Sequence, residues 1–154
     1  MSTRYWLGVV CQDHVRRGIG LGIAQLGHGK RGGLARLSAG DWLVYYSPRT
    51  SLRGGVPLQA FTAIGEVADE VIWQAAEGGF QPWRRRVRYL PDAVETPIAD
   101  FGGSGGSAGS SRASGSGAGL DLTSAPNWGY RLRAGLVELT PSDFARIRSA
   151  MVGS

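Results

Sequence analysis

The run Gly40-Asp41-Trp42-Leu43-Val44-Tyr45-Tyr46-Ser47-Pro48 constrains the fold of this chain more than any other stretch. A Gly-Asp turn launches it, an aromatic and β-branched strand fills it, and Ser-Pro ends it. It lies between two further strand-like runs, residues 5–10 and 61–67. Together they predict a small β-barrel with aromatic groups at the mouth of a cavity. Side chains alternate across a strand, so Tyr45 and Tyr46 point to opposite faces. Trp42 and one of the two tyrosines are assigned to the core. Tyr46 and Ser47, near the strand exit, are assigned to the cavity wall.

Further strands are predicted over residues 58–67, 83–90 and 131–139, with loops at 49–57 and 73–79. In 83–90 the alternation puts Trp83, Arg85, Val87 and Tyr89 on one face, and Arg84, Arg86, Arg88 and Leu90 on the other. Thr140-Pro141-Ser142-Asp143 reads as a helix start: Thr140 caps, Pro141 suits the first position and Asp143 complements the dipole. Phe144, Ile147 and Met151 then recur at helical spacing and should pack on the sheet. Glycines punctuate residues 11–39, which read as a loop over the barrel with a short helical turn near Asp13, whose side chain caps it. Residues 102–119 are almost wholly Gly, Ser and Ala, a flexible insertion that cannot build a core. The 154 residues, 42% of them apolar, fit one domain, 1–154.

Lys and Arg number 17 against 12 Asp and Glu, and Lys30 is the sole lysine. Arginine forks match phosphate and stack on aromatic faces, so nucleic acid is the first partner class to consider. Arg84, Arg85, Arg86 and Arg88 form a candidate phosphate-contacting ladder, helped by Lys30, Arg31 and Arg36. Specificity would need an aromatic pocket, for which five tryptophans are available. A lone cysteine excludes an intrachain disulfide and fits a reducing cytosol. Residues 5–11 are too short an apolar run for a signal peptide, and none approaches a bilayer span. A soluble, cytoplasmic monomer is the expectation, without a membrane partner.

No phosphate loop, His-Glu-x-x-His or Gly-x-Ser-x-Gly elbow appears, and Gly18-x-Gly20-x-Gly22 lacks dinucleotide-loop spacing. Cys11, Asp13 and His14 are the nearest approach to a nucleophilic set. Sequence neighbours leaving a strand rarely splay into catalytic geometry, so they are given a binding or structural role. The spacing of His14 and His28 does not demand a metal. No catalytic residue, metal or cofactor is assigned.

The chain resembles the EVE-domain proteins, small stand-alone members of the PUA-like superfamily related to YTH and ASCH domains. The stretches that carry the likeness include Tyr5-Trp6-Leu7-Gly8-Val9, Asp13-His14-Val15, His28-Gly29-Lys30, Gly40-Asp41-Trp42, Tyr45-Tyr46-Ser47-Pro48, Leu58 to Gly65, Phe80-x-Pro82-x-Arg84-Arg85 and Asn127-Trp128-Gly129-Tyr130. They run in order and leave out chiefly 102–119, where the family would carry a shorter, more apolar connection.

The resemblance implies an α+β fold, a mixed β-barrel of about five to six strands with short flanking helices and a C-terminal helix. It further implies a non-enzymatic module that accepts a modified nucleobase, notably a modified cytosine in DNA, as YTH domains accept a methylated adenine in RNA. By that analogy Cys11, Gln12, Asp13, Gln25 and His28 are candidate edge readers, with His14 beside them. Phe80 or Trp83 is the stacking wall, and Tyr46, Ser47 and Trp128 line the pocket. An RNA-binding module acting on tRNA or rRNA, an enzyme, and a small-molecule sensor using the same pocket are the alternatives.

Overall fold

The computed structural model describes residues 2–101 and 119–153. The Gly/Ser-rich segment read as a flexible insertion lies, apart from Gly119, outside the described residues. In chain order the elements are β1 (Tyr5–Val9), α1 (Gln12–Leu21), β2 (Ile23–Ala24), α2 (Gly32–Arg36), β3 (Trp42–Arg49), β4 (Pro57–Gln74) and β5 (Trp83–Tyr89). Then come β6 (Thr96–Pro97), α3 (Trp128–Arg131), β7 (Leu136–Leu139) and α4 (Pro141–Val152). Among the described residues seven strands form one mixed sheet in the order β2-β5-β4-β3-β1-β7, with β6 on β4. The α+β class holds. The strand count exceeds the expectation because β2 and β6, two residues each, are too short to show a period.

β1 and β3 are parallel, with Leu7 opposite Val44. A parallel pair cannot be joined by a tight turn and needs a crossover. Residues 10–41 are that crossover, and they correct the loop expectation: they hold α1, β2, a 3-10 turn at Gly27–Gly29 and α2. Asp13 does not cap α1 with its side chain; Cys11 occupies the cap position in extended conformation. Gly22, at φ 71, ends the helix in the left-handed conformation, and its amide reaches the carbonyls of Gly18 and Ile19.

Both faces of the sheet are covered, which is why the residues from Leu43 to Ser47 are buried without alternation. Leu7, Val44, Tyr46, Phe61 and Ile64 face one cluster, closed by Phe144, Ile147 and Met151 of α4. Trp6, Leu43, Tyr45, Ala63 and Val67 face a second, closed by Val15, Leu26, Leu34 and Leu37 of the crossover. Leu26, after β2, and Leu136, in β7, share that second cluster, so the sheet curls until its two ends converge. α4 starts as expected, with Thr140 accepting from the Asp143 amide at 3.1 Å. Asp143 does more than complement a dipole: buried, it accepts from the amides of Asp121 and Leu122 at 2.7 and 2.8 Å. Trp42 is half-buried rather than core, lying 5.5 Å from Phe144 with Arg148 over it. The final strand begins later than expected, because α3 and a 3-10 turn at Leu132–Ala134 occupy its first half.

The largest departure is Arg85. Alternation grouped it with Val87, and that face is the buried one; Arg85 is 1% exposed and is no phosphate contact. Its Nη1 donates to the carbonyls of Leu34 and Leu37, at the C-terminal end of α2, at 2.9 and 2.6 Å. Its Nε and Nη2 donate to the Asp69 carbonyl at 3.1 and 2.9 Å, and Nη2 also reaches Glu70 at 3.0 Å. Asp69 and Glu70 lie where β4 loses register with β5, between Val67 and Ile72. Arg85→Met should therefore strip donors from the buried carbonyls of Leu34 and Leu37 and from the part-buried carbonyl of Asp69, and lower stability by about 3 kcal/mol or more. Glu70→Ala and Arg86→Ala, at solvent-exposed side chains, should each cost under about 1 kcal/mol. Urea denaturation of the three variants checks the ordering.

Candidate functional site

The crossover and the curled sheet enclose a cavity of about 660 Å³. Tyr45 forms its floor: β3 sends Tyr45 to the crossover face and Tyr46 to the α4 face. This corrects the assignment of Tyr46, which is buried against Phe61 at 5.7 Å. Ser47 is fully buried too, donating to the Val10 carbonyl at 2.6 Å and sharing a 2.7 Å hydrogen bond with Thr62. Burial pushes the Tyr45 hydroxyl up to about 12, and it is hydrogen-bonded to Tyr89 and to the main chain of Gln25. Tyr89 in turn donates to the Ile23 carbonyl at 2.8 Å.

α1 supplies one wall. His14, Arg17, Gly18 and Leu21 all line the cavity, at the i, i+3, i+4, i+7 spacing of a single helix face. The turn after β2 supplies another with Gln25, His28 and Gly29. His28 adopts φ 60 and ψ 35, a left-handed conformation that costs a non-glycine residue energy and is held by its surroundings. Gly29 is required by contact: a Cβ there would lie 2.9 Å from Pro82 and 3.0 Å from the Phe80 ring. Phe80 closes the opposite side. It is presented by a tight turn in which Glu77 and Phe80 exchange main-chain hydrogen bonds of 2.7 and 3.0 Å, and it remains 45% exposed.

Of the sequence-assigned residues, the structure gathers Cys11, His14, Gln25, His28, Phe80 and Arg84 around the cavity. The others lie elsewhere. Gln12 turns away to Glu95, 2.7 Å from its amide nitrogen. Asp13 stands behind the wall, accepting from Cys11 Sγ at 3.1 Å and Ser51 Oγ at 2.8 Å. Trp83 packs beside the second apolar cluster with Arg31 over its ring at 5.7 Å, so Phe80 is the aromatic wall. Trp128, on α3, packs against the α4-side cluster. Lys30 and Arg31 are exposed off the cavity. Arg86 and Arg88 sit on the outer face of β5, near Asp69 at 3.8 Å and Glu66 at 3.4 Å. Arg17, Arg49 and Arg133 are the cavity cations that sequence reasoning missed. Reading α1 as a helix would have found Arg17 at three residues from His14.

Glu77 organises the charge. It accepts from Arg84 at 2.6 Å and also from Arg17, and these bonds hold its carboxyl below the ordinary range. Arg84 Nε donates to Gln25 Oε1 at 2.9 Å. That contact uses the acceptor end of the amide, so the NH2 end is what Gln25 can offer a ligand. Cys11, Asp13 and His14 also bring one donor atom each within 4.8 Å of one another, a spacing that could hold an ion, although both Asp13 oxygens already accept hydrogen bonds.

Burial, then the hydrogen bond to Asp13, pushes the Cys11 thiol up, so it faces the cavity as a neutral S–H at pH 7. Asp13→Asn removes the anion and should shift the pH midpoint of iodoacetamide alkylation of Cys11 downward. The Tyr45 hydroxyl titrates higher folded, at about 12, than in an unfolded chain. Its contribution is whole below about pH 10 and is lost as pH rises through the folded value. Tyr45→Phe should flatten the fall in melting temperature above pH 10.

The chain is similar to known proteins along most of its length. The EVE domain family matches residues 4–95. A UPF0310 protein of Renibacterium salmoninarum is 42% identical over 152 residues, covering 99% of this chain and 98% of its own. A UPF0310 protein of Mesorhizobium japonicum is 42% identical over 155 residues, covering 97% and 92%. A Rhodopseudomonas palustris protein solved by NMR aligns over 94% of this chain and 90% of its own, with 12% identity and a TM-score of 0.48. From the sequence matches, this chain belongs to the EVE-domain family.

Proposed function

We propose that this protein is a non-catalytic reader that accepts one modified nucleobase, notably a modified cytosine in DNA, in the cavity above Tyr45. The observation that carries the reading is the pairing of a half-exposed aromatic wall with hydrogen-bonding side chains inside a ring of arginines. Phe80 offers a π-face for stacking, and Cys11, His14, Gln25 and His28 offer hydrogen-bonding groups for a base edge. About 660 Å³ falls in the range of small-ligand sites and exceeds what one base needs, leaving room for a substituent. Arg49 and Arg133 line the same cavity and can hold the neighbouring phosphates. Family membership supports the reading. So does the Cys11 thiol, which donates to the Asp13 carboxylate and is held protonated by burial and by that bond, the wrong state for a nucleophile.

The test is a binding screen of DNA and RNA oligonucleotides carrying single modified or ordinary bases, at two salt concentrations. The modified DNA should bind tighter than its unmodified match. Phe80→Ala should cost about 1–3 kcal/mol of that binding. Arg49→Ala and Arg133→Ala should weaken modified and unmodified DNA alike and reduce the salt slope by about one each. Equal binding of every modified and unmodified pair sinks the reading. Preference for the RNA partner moves it to an RNA module, and salt-independent binding of a free nucleoside moves it to a small-molecule sensor.

A further inference from the structure

The loop between β3 and β4 is built as a stiff projection with an apolar tip. The Asp13 amide donates to the Thr50 carbonyl at 3.0 Å, and Asp13 Oδ2 accepts from Ser51 Oγ at 2.8 Å, which ties the loop to α1. Within the loop the Thr50 amide donates to the Val56 carbonyl at 3.0 Å, and the Val56 amide donates to Thr50 Oγ1 at 3.0 Å. The Arg49 guanidinium closes it onto the Gly55 carbonyl. This bracing holds Leu52 in water: it is 61% exposed, yet it lines the cavity mouth. Leu21, 51% exposed, and Phe80 stand on the same rim. Arg49 and Arg53, both exposed, flank Leu52 in the chain.

An apolar side chain braced outward contributes little to folding, and several on one rim between cations mark a binding surface. The basic flank points to a polyanion. Extruding a base from a duplex leaves a gap in the stack, and proteins that open base steps fill them with leucine, phenylalanine or similar wedges. We propose that Leu52 is such a wedge, entering the stack where the base leaves it, and that the substrate is duplex DNA rather than a single strand. The inference rests on the reading above that the cavity accepts one base, but it concerns a different group and a different part of the ligand. A single strand has no gap to plug.

A DNA duplex with one abasic position supplies the gap without a base to read. At fixed salt the protein should bind it about tenfold tighter than the intact duplex of the same sequence. A 2-aminopurine beside the gap should change its fluorescence on binding. Leu52→Ala should abolish both effects and Leu52→Met should retain them. Val94→Ala should also retain them, since Val94 is an exposed apolar residue away from the cavity. Equal wild-type binding of the two duplexes, or a preference that survives Leu52→Ala, overturns the wedge. If no modified base is preferred but the Leu52-dependent abasic preference holds, the base reading fails and the wedge stands. If a modified base is preferred without any abasic preference, the wedge alone fails.

Discussion

The fold depends on one buried cation. Arg85 leaves water almost completely, a transfer that costs several kcal/mol unless its donors are matched. They are matched by carbonyls that regular structure leaves over: the C-terminal end of α2 and the stretch where β4 departs from β5. α2 has five residues, too few to hold a helix on propensity. Its end is fastened by the guanidinium, and its Leu34 is clamped into the second cluster. One side chain thereby anchors the crossover to the far strand of the sheet.

The site inherits its geometry from that anchoring. Because both sheet faces are buried, β3 must point one tyrosine to the crossover and the next to α4, and the first becomes the cavity floor. Around it the polar groups are held from behind. Asp13 and Ser51 connect α1 to the β3–β4 loop, and Glu77 holds Arg84, which holds Gln25. Two arginines sharing one carboxylate leave the rim positive without leaving each cation unpaired. Arg85 stabilises the scaffold, whereas the neighbouring Arg84 shapes the cavity, although they differ by one position in the same strand.

Much of the sheet was legible because period-two patterns and turn residues are local. β1, β3, β5 and the capped start of α4 stand close to where the residues put them. The crossover was not legible. Its glycines lower helix propensity, and the tertiary contacts that override propensity, Val15 packed into the second cluster and the Gly22 terminus, cannot be read from composition. That misreading hid Arg17. It did not hide Cys11, Gln25 and His28, assigned through the family likeness, or His14, singled out from the residues, all of which line the cavity. Tyr46 and Ser47 were misplaced because an aromatic strand exit looks the same whichever face the cavity occupies, and Trp128, assigned through the family likeness, packs instead on the α4 side.

The sequence by itself determined the class of fold, the strand-rich core, the capped C-terminal helix, the basic character and the family, since each rests on local pattern or ordered motif. Tertiary structure alone decided that Tyr45 rather than Tyr46 floors the cavity, that Phe80 rather than Trp83 walls it, and that Arg85 is structural. Phe80 is set by its turn, outside any strand pattern; for Tyr45 and Arg85 the physical reason is shared. Alternation says which residues share a face. Only the packing of α4 and of the crossover on opposite sides of the sheet says what each face meets.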